Sequence, residues 1–191
     1  MEIDLAKINF NEKIIFENAQ FSQWLPLNDT IMGGSSESFC IVNKQGLIFK
    51  GDLIEEGGGF ISCRSPLLNP PLELSSFKGI QIDLDGGGRT LKLALSCNLK
   101  RNIFSNLFIG NIRWVASLPT NISGTTQIRI PFKSFKPTIR AKKVFLPVNL
   151  DCSSITRFQL LYSKFGLPGE MNNEFKSGPI KILIRKIYAF Y

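Results

Sequence analysis

The sequence predicts an all-β fold, a sandwich of antiparallel strands. Three observations carry that prediction. Apolar residues recur with period two in segment after segment. Turn residues separate the segments at short intervals. No window of helical length repeats apolar residues three and four positions apart. Ser38–Val42 and Gly46–Ile54 open the series, and Phe60–Arg64 follows the turn Gly57-Gly58-Gly59. Beyond Asn69-Pro70-Pro71, Ile80, Ile82 and Leu84 alternate with Gln81, Asp83 and Asp85. Leu91, Leu93 and Leu95 come after the turn Gly86-Gly87-Gly88, and Ile112–Leu118 follows. Ile128, Ile130 and Phe132 succeed the turn at Asn121–Gly124. Phe158, Leu160 and Tyr162 form the next set, and Ile180, Ile182 and Ile184 the last, after Ser177-Gly178-Pro179. That makes about nine strands, each with one apolar face, the pattern of half-buried antiparallel pairing. A short helix or turn is expected at Ile3–Phe10 or Leu72–Phe77.

A chain of 191 residues fits one domain spanning residues 1–191 and can bury a full core without staples. Hydrophobic residues make up 43% of it, at a mean hydropathy of +0.06, as in globular proteins. No segment reaches the roughly 18 apolar residues of a membrane span, and the acidic start Met1-Glu2-Ile3-Asp4 does not read as a secretory leader. The expected location is cytoplasmic, or an organelle interior if a targeting segment was removed, with membrane contact only peripheral. Cys40, Cys63, Cys97 and Cys152 lie far apart in sequence and read as buried thiols on strands. The chain has no histidine. That removes His-dependent triads, zincin motifs and the commonest neutral-pH general base. Neither a metal nor a cofactor is expected, and no catalytic constellation is visible.

Charge is unevenly distributed. Residues 1–88 carry 6 Lys and Arg against 12 Asp and Glu, a balance of −6, whereas residues 89–191 carry 17 against 3, a balance of +14. A basic half of this size suits an anionic partner: a membrane surface, an acidic protein or nucleic acid. The run Lys133–Lys143 concentrates it, with Lys133, Lys136, Arg140, Lys142 and Lys143 around Phe135 and Ile139 and no acid. It reads as a basic loop. It could lie on anionic lipid or an acidic protein, bind RNA with Phe135 as a stacking platform, or simply be solvated while Phe135 and Ile139 anchor it. Nucleic acid is the least favoured of these.

The most distinctive stretch is Trp24 to Ser35, which holds Asn28-Asp29-Thr30-Ile31-Met32-Gly33-Gly34-Ser35. Asn and Asp bond nearby backbone and Gly-Gly admits turn conformations, so an ordered loop is expected, tied down by Trp24 and Met32. A second piece, Gly58-Gly59-Phe60-Ile61-Ser62-Cys63-Arg64-Ser65, follows after the strand ending in Phe49-Lys50-Gly51. Together these resemble the motifs of the CIA30 family, the complex I intermediate-associated protein 30 domain. Asp85-Gly86-Gly87-Gly88-Arg89, Ile130-Pro131-Phe132, Phe135 with Pro137 and Arg140, and Gly178-Pro179-Ile180-Lys181-Ile182 resemble later family segments in the same order. The resemblance covers about residues 16–191 and departs at Ala141, where a glycine is expected.

The resemblance implies a galactose-binding-like jelly-roll sandwich and a non-enzymatic assembly factor. The implied partners are subunits of a membrane redox complex, of complex I or photosynthetic type. The residues it singles out are Asn28, Asp29, Met32, Gly33, Gly34 and Ser35, with Phe60, Arg64 and Arg140 in support. A loop on a rigid scaffold is where function concentrates; the competing reading makes it a plug whose polar groups satisfy the backbone. Phe60, Ser62 and Arg64 share one strand face, and with Phe60 in the core, Arg64 is expected to be partly buried and paired with Asp29 or Asp83. The glycine clusters lack any phosphate-loop or dinucleotide pattern and read as tight turns. The alternative function is a carbohydrate- or small-ligand-binding module, which exposed Trp or Tyr near the Asn28 loop would favour.

Overall fold

The computed structural model describes residues 12–98, 112–139, 142–144 and 148–191. They form two antiparallel sheets packed face to face, with no α-helix among the described residues. The described residues hold thirteen strands: β1 (Glu12–Glu17), β2 (Leu25–Asn28), β3 (Glu37–Asn43), β4 (Gly46–Leu53), β5 (Phe60–Arg64), β6 (Gly79–Asp85), β7 (Thr90–Cys97), β8 (Arg113–Pro119), β9 (Thr126–Pro131), β10 (Lys136–Ile139), β11 (Lys142–Lys143), β12 (Ile155–Ser163) and β13 (Gly178–Phe190). The six-stranded sheet runs β3-β4-β13-β6-β9, with β1 also on β13. The seven-stranded sheet runs β11-β10-β8-β7-β12-β5-β2. All the alternating segments read from the sequence are strands here.

Alternation places the core. Leu91, Leu93 and Leu95 of β7, Phe158, Leu160 and Tyr162 of β12, and Ile80, Ile82 and Leu84 of β6 are all buried between the sheets. Ile182 and Ile184 of β13 and Leu47 and Phe49 of β4 meet them from the six-stranded side. An aromatic group closes one end of the sandwich. Phe16 packs against Trp24 (5.2 Å, edge-on), Phe158 (5.4 Å) and Phe21 (5.9 Å), geometries that add to simple burial.

Four strands were not read from the sequence. β1 and β2 fall where no alternation was visible. β10 and β11 occupy the run read as a basic loop: Phe135 (5% exposed) points into the core and Thr138 (5%) is covered on the other face, opposite Arg113, while Lys133, Lys136, Lys142 and Lys143 lie at the surface. Leu72–Phe77 is turn and irregular chain rather than helix. The expected helix or turn at Ile3–Phe10, and the expected site residue Arg140 with Ala141 beside it, lie outside the described residues.

Candidate functional site

The Asn28 loop is built around one buried carboxylate. Asp29 opens a 3-10 turn, Asp29–Met32, that leads from β2 of one sheet to β3 of the other. It is fully buried. Its Oδ1 accepts from the Ser36 amide at 3.0 Å, and its Oδ2 from the Ser36 hydroxyl at 2.7 Å, the Gly59 amide at 2.7 Å and the Phe60 amide at 3.3 Å. Burial pushes its pKa up. The Gly59 amide, the Ser36 hydroxyl and amide and the Phe60 amide outweigh burial and hold it below the ordinary carboxylate value. Ser36 extends the tie, since its hydroxyl also receives the Ile54 amide at 2.9 Å. The carboxylate thus joins β2, the start of β3, the end of β4 and the start of β5, and so holds the two sheets together at one edge.

The glycines of both motifs serve this knot. A Cβ on Gly34 or on Gly58 would overlap the Asp29 carboxyl group. Gly33 adopts φ of 89°, a left-handed conformation that costs glycine little, and its amide bonds the Thr30 carbonyl at 3.2 Å. Asn28 accepts a hydrogen bond from the Ser38 hydroxyl. The two sequence motifs are therefore halves of one structural unit. Ser36, not the exposed Ser35, is the serine that meets Asp29.

Three expectations are corrected here. Met32 does not fill the core edge: Met32 is 75% exposed and Ile31 66% exposed, while Trp24 alone is buried. The turn lifts both apolar side chains outward because Asp29 consumes the inward positions. Arg64 does not pair with Asp29 or Asp83. Asp29 binds the amides that begin β5, and Arg64 ends it, four residues or about 13 Å away at a strand's rise. Asp83 is engaged by Tyr188 and Gln81 of the six-stranded sheet. The face assignment was also inverted. Ile61 and Cys63 point into the core, so Phe60, Ser62 and Arg64 point outward from the seven-stranded sheet.

That outward face holds a group of cations. Arg64 on β5, Lys92 on β7, Arg113 on β8 and Arg157 on β12 stand on four adjacent strands. Arg113 Nη1 donates to Gln159 Oε1 at 2.6 Å, Gln159 Nε2 donates to Ser62 Oγ at 2.8 Å, and Ser62 Oγ donates to the Leu27 carbonyl at 2.6 Å. Lys92 Nζ donates to the carbonyls of Phe165 at 2.6 Å and Gly166 at 3.0 Å. Burial, with Arg113 adding to it, lowers the Lys92 pKa to about 8. Sequence reasoning missed this group. Its only trace was the basic balance of the second half, which does not say which strands become neighbours.

Both tryptophans, the strongest stacking surfaces for a sugar, are turned inward. Trp24 (2% exposed), Trp114 (1%) and Tyr162 (0%) all belong to the core. Phe135 is likewise buried and offers no stacking surface. The four cysteines carry free thiols, with Cys63 buried and the others half-buried. Cys40 of β3 and Cys63 of β5 interact across the sandwich, and the Cys63 thiol lowers the Cys40 pKa. No helix among the described residues is long and apolar enough to cross a membrane.

Comparison with solved structures finds the same architecture in carbohydrate-binding modules. The family 11 module of the cellulosomal cellulase Lic26A-Cel5E of Clostridium thermocellum is 16% identical, with a TM-score of 0.64 and 94% of each chain covered. The family 11 module from Clostridium thermocellum in complex with a beta-1,3-1,4-mixed-linked tetrasaccharide is 18% identical, with a TM-score of 0.65 and 94% and 95% covered. The family 30 module of cellulase Cel9D-Cel44B of the same organism is 12% identical, with a TM-score of 0.54 and 92% and 96% covered. Identities this low establish the jelly-roll sandwich and nothing finer. Comparison with curated proteins finds no match. The sequence profile described as Complex I intermediate-associated protein 30 (CIA30) matches residues 8–184, almost the whole chain. With the Asn28–Ser36 and Gly58–Phe60 motifs meeting on one carboxylate, the chain belongs to the CIA30 family.

Proposed function

We propose that this protein is a non-catalytic assembly factor that binds partly assembled subunits of a membrane redox complex, of complex I or photosynthetic type. Family membership supports the class of client. The observation that carries the reading is the apolar tip Ile31–Met32, held out from the sandwich by the Asp29 knot. A rigid, solvent-facing apolar pair is a feature that a partner covers. Leu25 (62% exposed), Phe39 (55%) and Ile41 (43%) on the edge strands β2 and β3 extend the same kind of surface. In this reading Asp29, Gly33 and Gly34 shape the loop, Asn28 ties it to β3, and Ile31 and Met32 make the contact. The basic surface of Lys133, Lys136, Lys142 and Lys143 sits toward anionic lipid or an acidic subunit.

The test is a mild-detergent pull-down of the tagged protein from its own cells with mass spectrometry. Substoichiometric subunits of one membrane redox complex are expected with the wild type and should be lost with Ile31→Ser/Met32→Ser, whose thermal melt should match the wild type. The same subunits recovered equally with that variant would sink the loop's role.

The alternative is a carbohydrate- or small-ligand-binding module, favoured by the likeness to glycan-binding sandwiches. The inward orientation of Trp24 and Trp114 works against a stacked neutral sugar. Retention on an immobilised glycan, with no subunits in the pull-down, would favour it.

A further inference from the structure

The outward face of the seven-stranded sheet combines charge with scarcity of partners. No strand of that sheet contains Asp or Glu. Nor do residues 99–111, 140–141 or 145–147; of the residues outside the described ones, only 1–11 carry acids, Glu2 and Asp4. Arg64, Arg113 and Arg157 are half-buried and have no carboxylate within ion-pair reach among the described residues. Arg113 and Arg157 are both disfavoured as cations by burial first and by Arg64 second. Arg157 Nε is buried without an acceptor. Like charges on neighbouring strands repel, and half-buried charges without counterions cost free energy. The fold holds them there nonetheless. Ser62 gives its proton to the Leu27 carbonyl, so its oxygen must accept from Gln159 Nε2, which turns Gln159 Oε1 toward Arg113. That relay aims a guanidinium without neutralising it.

We propose that this face binds an acidic segment of a partner protein, in extended form, with carboxylates at alternate positions seated on the guanidiniums. Charge complementarity selects the class, and guanidinium forks match carboxylates. Spacing supports an extended chain. The cations occupy four adjacent strands, a span of about 14 Å at the inter-strand distance, and same-side residues i, i+2 and i+4 of an extended peptide also span about 14 Å. A single phosphate would engage one end only. A nucleic acid would want a series of exposed stacking platforms; Trp24, Trp114, Tyr162 and Phe135 are buried, and the exposed Phe165 stands at one end of the face beside Lys92. The inference goes beyond the assembly reading and stands without it, since it names a second surface and the chemistry of what docks there.

The experiment is calorimetric titration at low salt with a synthetic peptide of alternating Glu and Ser, about twelve residues long, chosen to exceed the span above. The Gln-Ser analogue, inorganic phosphate and oligothymidylate serve as comparators. Arg64→Gln/Arg157→Gln should weaken Glu-Ser binding about tenfold, as removal of partly desolvated charge contacts does. Lys50→Gln/Lys181→Gln, the same charge change on the six-stranded sheet, should leave it within about twofold. Amide shift mapping on the wild type should place the perturbations on β5, β7, β8 and β12, which keeps the test valid if the double variant misfolds. Equal losses from both double variants, shifts confined to other strands, or no binding at low salt would overturn the proposal. Tighter binding of oligothymidylate than of peptide would replace it with a nucleic-acid surface, and phosphate matching the peptide would reduce it to a single-anion site.

Discussion

The six-stranded sheet carries six acidic and six basic residues along its strands, whereas the seven-stranded sheet carries seven basic residues and no acid. Three ion pairs, Arg129–Glu12 at 3.0 Å, Arg185–Asp85 at 2.7 Å and Lys186–Glu17 at 3.1 Å, lie on the six-stranded sheet. Both sheets have the same alternation and feed the same core. They differ only in what their outward faces do with charge. One balances its charges in number and pairs Arg129, Arg185 and Lys186 with carboxylates of its own strands. The other holds Arg64, Arg113 and Arg157 half-buried, with no carboxylate within ion-pair reach among the described residues. Strand pattern and burial therefore describe the scaffold, while the sign of the outward residues separates a wall from a candidate docking face.

The largest perturbation is expected where the two sheets are joined. Asp29→Ala strands the Ser36, Gly59 and Phe60 donors in a buried site and should cost roughly 3 kcal/mol, or about 10 °C in a thermal melt. The same carboxylate fixes a pH dependence. Its folded pKa lies below its ordinary value, so its contribution is complete above the ordinary carboxylate range and is lost as pH falls through the lowered value. Acid melts of wild type and Asp29→Asn should converge at low pH; parallel curves down to the acid limit would refute that role. Next comes Gly34→Ala, whose added methyl collides with the carboxyl group. About 2 kcal/mol is expected, measured by urea unfolding, against about 1 kcal/mol, from backbone strain alone, for Gly124→Ala, which stands at φ of 75° next to open space.

Smaller effects address the two faces directly. Arg64→Gln/Arg157→Gln relieves repulsion and should raise stability by about 0.5 to 1 kcal/mol while weakening acidic-peptide binding. A loss of stability of that size would mean the cations serve the fold. Smallest of all, Glu12→Gln breaks the exposed pair with Arg129 and should cost about 0.5 kcal/mol or less, vanishing at high salt. An effect larger than that of Gly34→Ala would put the ion pairs, not the knot, at the centre of stability.

Much of the architecture was legible because one-sided strands repeat apolar residues with period two. The missed strands break that pattern for identifiable reasons. β1 runs Ile14-Ile15-Phe16 without alternating, and register with β13 shifts between Ile14 and Phe16. β2 contains Pro26 and ends in the Asn-Asp turn signal, so propensity reads it as loop although it pairs with β5. β10 hides a buried Thr138 among lysines. The candidate site was half legible. Its residues were marked by composition, but Phe60–Arg64 alternates equally well in either orientation. Only Ile61 and Cys63 meeting the core decide that Arg64 faces away from Asp29. The cation group could not be read at all, because it assembles from four strands whose adjacency is set by topology.

The thirteen residues of β13 have a consequence for synthesis. Gly178–Phe190 pairs with β4, β6 and β1 and is the central member of the six-stranded sheet. Until a ribosome has passed Gly178 and the strand that follows it, that sheet has no middle, and Leu47, Phe49, Ile80 and Ile82 lack their cover. Folding is then deferred to a late, long-range closure, which is slow and leaves strand edges open to other chains. A nascent chain released or cleaved short of Gly178 should be recovered with chaperones or in inclusion bodies rather than as a smaller folded unit.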